Sequence, residues 1–320
     1  MRFAVLDFGS YSTLLLVARP TPDGSLVEVQ EEFRVTRLGE GTDRTGALEP
    51  EAVERTIAAA RDFLARIQPG GEDPVAGIAA ATSAVRDARN REIFLDACGR
   101  LLGAPPLLLT GEEEAKAVFL GAASDQPKET LLCTADIGGG STEISIGRRD
   151  RCIQSRSIDI GSARLAQRFD LFDRVPGERM EQARQAVRKI LDGEASDLLS
   201  HIPARGEPLR ALASGGTATT YTSMRQELAE YRREAVHGFT DTEQEVRAAC
   251  EYLFTLSSEE RARLPGIEPG RAPVLPAGLI VVGEWLRWLG RASVTVTTRG
   301  LRFGLARRMQ CGDLEPTWRR

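Results

Sequence analysis

Two short stretches place the same chemically useful residues in the same order. "DFGSYST" begins at Asp7 and "DIGGGST" at Asp136, so the pattern Asp-x-Gly-x-x-Ser-Thr occurs twice in the chain. A glycine-rich turn between strands exposes successive N–H groups in a concave nest, and glycine lets a ligand approach with no Cβ in the way. Such a nest suits phosphate oxygens. Gly9, Ser10, Ser12 and Thr13 in the first copy, and Gly138, Gly139, Gly140 and Ser141 in the second, are the candidate phosphate-binding residues. Asp7 and Asp136 stand at strand ends, where a carboxylate can hold hydrated Mg²⁺ against the phosphates. One copy alone reads equally well as a tight hairpin, since glycine and aspartate are ordinary turn residues. The recurrence argues for a shared purpose. The dinucleotide-binding fingerprint is excluded, because no helix follows the glycines. A third stretch, "SGGT" at 214–217, ends a strand and opens a helix. It turns the amides of Gly215, Gly216 and Thr217 toward an anion, or is a plain strand–helix turn.

These loops need strands on both sides. Residues 2–8 and 12–19 read as apolar strands joined by "FGSYS", and 25–38 alternates as a further strand or pair of strands. The segment 48–67 has an early proline, early acids and apolar spacing of three and four, so it reads as a helix ending at "QPGG". A strand over 75–81, a loop "TSAVRDARN", a helix over about 90–102 and a strand over 106–110 follow. "GEEEAKAVFLGAAS" (111–124) places three acids in the first turn of a helix, where the dipole favours them. After the polar "QPKET" the order restarts, with strands at 130–136, 142–147 and 151–160 and helices at about 161–170 and 177–200. A strand over 209–216 with a helix behind it comes next; the rest reads as helical up to a strand over 292–298 and a final helix over about 301–310. Two halves opening on the same strand–turn–strand imply duplicated α/β domains around a shared cleft.

The 320-residue length fits two domains of ordinary size, and 42% hydrophobic with 28% charged residues is a soluble globular composition. No apolar run approaches the roughly 18 residues that span a bilayer, and the opening "MRFAVLDFGS" does not read as a signal peptide. The five scattered cysteines form no C-x-x-C pair, which points to reduced thiols in the cytoplasm. With only His201 and His237, acid–base and metal chemistry must rest on carboxylates, and Mg²⁺ is the natural cation. A net charge of −4 excludes a globally basic nucleic-acid coat, so neither nucleic acid nor membrane is an expected partner. A polyanionic ligand would have to be met by local positive charge.

"LDFGSYST", "ATSAVRDARN", "TGEEEA", "ADIGGGSTE", "SGGTATT" and "RAPVLPAGLIV" occur in the order seen in the exopolyphosphatase/guanosine pentaphosphate phosphatase (Ppx/GppA) family, which the chain resembles from about 3 to 310. The resemblance implies two actin-like, ribonuclease H-like domains of the actin, hexokinase and Hsp70 superfamily. The expected domains are 1–125, with the helix over about 301–312 packing back on it, and 126–300. Glu114, before the alanine of E-E-A, is the implied catalytic carboxylate, and Arg86 the arginine that reaches substrate phosphates. Asp7 and Asp136 become metal carboxylates, and Glu143 holds the metal or the attacking water. The implied reaction removes orthophosphate from the ends of inorganic polyphosphate with Mg²⁺ or another divalent cation. Hydrolysis of guanosine pentaphosphate, a (p)ppGpp-type nucleotide, and a non-catalytic polyphosphate or alarmone sensor are the alternatives, and a homodimer is left open. His237 in "VHGF" matches a family signature but reads as a packing or capping residue. Two positions depart from the family pattern: Tyr11 stands where asparagine is usual, and Phe303 in "LRFG" where glutamate is usual.

Overall fold

The computed structural model describes residues 1–67, 74–202 and 209–319. The chain divides into two compact units, Met1–Ser124 with Leu301–Arg320, and Asp125–Gly300. The strands in chain order are β1 (Arg2–Phe8), β2 (Ser12–Pro20), β3 (Leu26–Val35), β4 (Val75–Ala81), β5 (Leu107–Leu108), β6 (Leu131–Ile137), β7 (Thr142–Arg148), β8 (Arg151–Ile158), β9 (Leu209–Ser214), β10 (Thr240–Thr242), β11 (Ser293–Val296) and β12 (Trp318–Arg319).

Both units carry a mixed sheet with the same order in five strands, the duplicated α/β arrangement implied by the two matching halves. In the first, β3–β2–β1 is an antiparallel meander, β1 pairs in parallel with β4, and β4 in parallel with β5. In the second, β8–β7–β6 is the meander, β6 pairs in parallel with β9, and β9 in parallel with β11.

Strand period explains why these runs are nearly continuous in apolar residues. Successive side chains point to opposite faces, and a sheet covered on both faces needs apolar residues at both parities. Ala4, Leu6, Phe8, Leu15 and Val17 join a core with the helices Pro50–Ala65 and Glu92–Leu102. Phe3, Val5, Leu16 and Ala18 join another with Ala117 and Val118 of the helix Gly111–Ala122 and with Phe303 and Leu305 of the helix Leu301–Gln310. These last two helices come unusually close. A Cβ on Gly304 would lie 1.7 Å from the Ala117 carbonyl oxygen, so only glycine permits the approach that seats the Glu114 helix. Phe303 is 3% exposed and serves this core.

Three short elements differ from the sequence expectation. "SAVRD" forms a brief helix, Ser83–Asp87, inside the expected loop. β10 interrupts the expected helical region because Thr240–Thr242 finds an edge partner in β11, which no local pattern announces. β12 pairs antiparallel with β4, and the Trp318 ring occupies the space where a Gly77 side chain would stand. The long helix expected over 177–200 ends at Glu194 and continues as the 3₁₀ turn Ser196–His201. The "QPGG" stop lies outside the described residues. No helix among the described residues is long and apolar enough to cross a membrane.

Candidate active site

In the first unit the Asp7 hairpin closes with the Gly9 N–H donating to the Ser12 carbonyl at 3.1 Å. The loop's next carbonyls are drawn to the segment after β3. Gly39 N–H donates to Ser10 O at 2.8 Å, and the N–H groups of Thr36 and Arg37 donate to Tyr11 O at 3.1 and 2.9 Å. No cis peptide bond occurs among the described residues. In a trans peptide the N–H points opposite to the carbonyl before it, so the amides of Tyr11 and Ser12 face away from residues 36–39. Ser10 Oγ is 2.8 Å from Ser83 Oγ, which ties the loop to the Arg86 segment. Thr13 is fully buried with its hydroxyl 2.9 Å from that of Thr36, so this hydroxyl serves the hairpin and not the loop's outer surface. The Tyr11 ring is buried under the Arg37 guanidinium, 5.9 Å from the ring centroid.

The three acids of "GEEEA" separate by structure. Glu112 is exposed and pairs with Lys116 one turn on, at 2.6 Å. Glu113 completes a capping box: its carboxylate accepts from the Thr110 N–H at 2.9 Å while its own N–H donates to the Thr110 hydroxyl. The Thr110 N–H and hydroxyl hold the Glu113 carboxyl below the ordinary glutamate range. Glu114 alone turns inward and is 6% exposed. Its Oε2 accepts from Arg86 Nη1 at 3.2 Å, and the same nitrogen donates to Leu109 O at 3.1 Å. Arg86 and Glu114 are therefore brought together, the arginine gripping the carboxylate it was expected to work beside.

In the second unit the loop closes in the same way, Gly138 N–H donating to Ser141 O at 3.0 Å. A helix, Ser162–Phe169, takes the loop's carbonyls: Ser162 N–H donates to Gly138 O at 2.8 Å, and Ala163 and Arg164 N–H to Gly139 O at 3.0 Å each. The trans-peptide argument then turns the N–H groups of Gly139 and Gly140 away from that helix. Neither finds a protein acceptor among the described residues. The contact is tight, because a Cβ on Gly161 would lie 2.3 Å from the Gly139 carbonyl.

Across the second sheet, Ser214, Asp136, Glu143 and Ser157 are register partners in a row over β9, β6, β7 and β8. Cross-strand partners share a face, so the two acids are neighbours. Glu143 is 3% exposed and accepts from Ser157 Oγ at 2.8 Å. Asp136 occupies space that two glycines leave open. A Cβ on Gly215, which has φ +85°, would be 2.3 Å from its Oδ1, and one on Gly300 3.0 Å from its Oδ2. Gly215 and Gly216 open the helix Gly215–Arg225 and Thr217 is buried behind them, with the Arg271 guanidinium lying on Gly216.

Ser214 was missed by sequence reasoning, which stopped at the glycine pair beside it. It is 1% exposed, and its Oγ has no hydrogen-bond partner among the described residues. Its only sequence signal is its place at the end of a strand, before the glycines. His237 bridges Asp125 and Thr298: Nε2 is 2.7 Å from Asp125 Oδ2, and Nδ1 accepts the Thr298 N–H at 3.2 Å. Thiol chemistry has no support in the core, where burial pushes Cys133 and Cys250 up to about 12.

Comparison with known proteins gives the family and the fold. A model of the Ppx/GppA phosphatase family matches residues 16–310. Exopolyphosphatase 2 of Mycobacterium tuberculosis is 33% identical over 323 aligned positions, covering 95% of this chain and 97% of that protein. The crystal structure of an exopolyphosphatase-like protein superposes with a TM-score of 0.85 at 30% identity, covering 98% of this chain and 100% of that one. The Aquifex aeolicus member of the Ppx/GppA family does so with a TM-score of 0.77 at 28% identity, covering 98% of each chain.

Proposed function

Since the chain belongs to the Ppx/GppA phosphatase family, we propose that it is an exopolyphosphatase, a hydrolase of the terminal phosphoanhydride bond of inorganic polyphosphate. The observation that carries the reading is Glu114, the one acid of its triplet that is buried, and held by Arg86. Glu114 orients a water and takes its proton as the water oxygen bonds to the end phosphorus. The bridging P–O bond breaks, and the shortened chain leaves with the electron pair. Arg86 holds the carboxylate until substrate arrives, and its planar fork then reaches phosphate oxygens. The loop amides at Gly139 and Gly140, with those of the Asp7 hairpin, hold phosphate oxygens in place, and such fixed donors carry most of the rate.

The residues present suit a divalent cation of the Mg²⁺ type. No three acidic, histidine or cysteine side chains form a ready-made cage among the described residues. Mg²⁺ needs none, being held by one or two carboxylates together with waters and substrate phosphates. Asp136, in the space kept by Gly215 and Gly300, and its neighbour Glu143 are that carboxylate pair, and Asp7 is a further candidate. When bound, the cation would neutralise charge developing on the phosphates.

Purified protein with Mg²⁺ is expected to release orthophosphate from polyphosphate, and Glu114→Gln to lose about 10²–10⁴-fold of that rate. A fully active Glu114→Gln variant overturns the mechanism. Running long polyphosphate, short polyphosphate and guanosine pentaphosphate side by side separates the substrate readings. Tight binding with no phosphate release under varied metals would make the protein a sensor.

A further inference from the structure

A buried hydroxyl without a partner is a cost that native proteins rarely carry. Ser214 carries it beside the carboxylate pair. Its neighbour in the parallel β6–β9 register is Asp136. The space at Gly300, where a side chain would stand 3.0 Å from Asp136 Oδ2 and 3.8 Å from Ser214 Oγ, borders both groups. A chain that needed only packing here would place alanine, which fits the same strand position, removes the unsatisfied oxygen and adds stability.

We infer that Ser214 is a further ligand-binding residue: its hydroxyl accepts a hydrogen bond from a water carried by the divalent cation at Asp136. Mg²⁺ and Mn²⁺ keep most of their water when bound by few carboxylates, and those waters are strong donors in need of fixed acceptors. The hydroxyl, buried and held by the strand, is preorganised to receive one. Glu143, drawn toward Ser157, lies on the other side of Asp136, so Ser214 and Glu143 would hold opposite sides of one hydrated ion.

This inference rests on the proposed cation site, and the test separates the two. Mn²⁺ alone is titrated calorimetrically into wild type, Asp136→Asn, Ser214→Ala and Ser214→Thr, with thermal unfolding measured on each without metal. The expected result is strong loss of binding in Asp136→Asn, about three- to tenfold weaker binding in Ser214→Ala, and near-native binding in Ser214→Thr, which keeps the hydroxyl. If wild type binds no Mn²⁺, or Asp136→Asn binds as wild type, the cation site itself is wrong. If Asp136→Asn loses binding while Ser214→Ala matches wild type and melts higher, the hydroxyl is only a packing defect and the Ser214 inference is overturned.

Discussion

Hairpins β1–β2 and β6–β7 pair in the same register, so that Asp7 faces Leu14 as Asp136 faces Glu143. In both, the glycine two residues after the acid closes the turn onto a serine carbonyl, at 3.1 and 3.0 Å, and a Cβ on either glycine would meet that oxygen at 3.1 Å. The backbone is one solution used twice. The side chains are not. The second hairpin keeps two acids and three successive glycines, and is backed by a helix. The first has one acid, a buried Tyr11 and an apolar Leu14, and is backed by the segment after β3. Its unit supplies the second acid, Glu114, from a separate helix. The glycine turn is the same in both copies, and the carboxylates that the proposed reaction uses are distributed differently around each.

Converting one hairpin toward the other tests that division. The largest effect is expected from Glu143→Leu, which gives the second hairpin the first one's residue: kcat should fall by about 10²-fold with the fold intact. Unchanged kcat would mean that the second acid is structural. Next come the glycines beneath the loops. Gly161→Ala forces a Cβ to within 2.3 Å of backbone and should cost about 2–3 kcal/mol in thermal unfolding. Gly39→Ala, where the nearest atom is a side-chain Cβ at 3.1 Å, should cost less than about 1 kcal/mol. Equal losses would mean that the two supports are equally tight.

A smaller contrast concerns acid. Burial raises the Asp125 carboxyl, but hydrogen bonds from His237 and Gln126 and the charge of Arg299 outweigh it, leaving the group below the ordinary range. Glu113 is lowered chiefly by the Thr110 N–H and hydroxyl of its cap, with smaller help from the charges of Arg308 and Lys116. For a depressed carboxylate the added stability is present above the unfolded value and is lost as pH falls through the folded one. Asp125→Asn and Glu113→Gln should therefore each flatten the acid limb of a melting-temperature profile. The smallest effect is expected for Tyr11→Leu, which removes the ring under Arg37: about 0.5–1 kcal/mol in stability, read by denaturant titration. A KM change without a kcat change in that variant would place Tyr11 on the substrate path.

The hairpins and the Glu114 helix were legible because each rests on local pattern: period-two apolar runs, glycine turns and acids in a first turn; the strand order beyond the meanders, set by non-local parallel pairing, came only with the family resemblance. The short strands β10 and β12 were not, since each is held by pairing with a distant strand and carries no periodic signal of its own. Among the site residues, local pattern named three adjacent glutamates without sorting them, and Glu114 was singled out by the family resemblance alone. The physical distinction is the capping box at Thr110 and the burial beside Arg86, both facts of three-dimensional contact. Ser214 was invisible for a related reason, because an unsatisfied hydroxyl is defined by what surrounds it. Phe303, a departure from the family signature, turned out to be core, and the glycine after it has its own reason in the Ala117 approach.

The close seating of Gly304 on Ala117, and of Trp318 on Gly77, has a temporal side. The first unit, Met1–Ser124, is completed by Leu301–Arg320, whereas Asp125–Gly300 is a continuous stretch. On the ribosome, domains ordinarily fold in the order in which they emerge. Here the later unit holds all its own parts first, and the earlier one waits with the helix of Glu114 lacking its support until residues 301–310 are made. The proposed catalytic competence would then wait on that helix, so a chain cut before it could fold the second unit and still be silent.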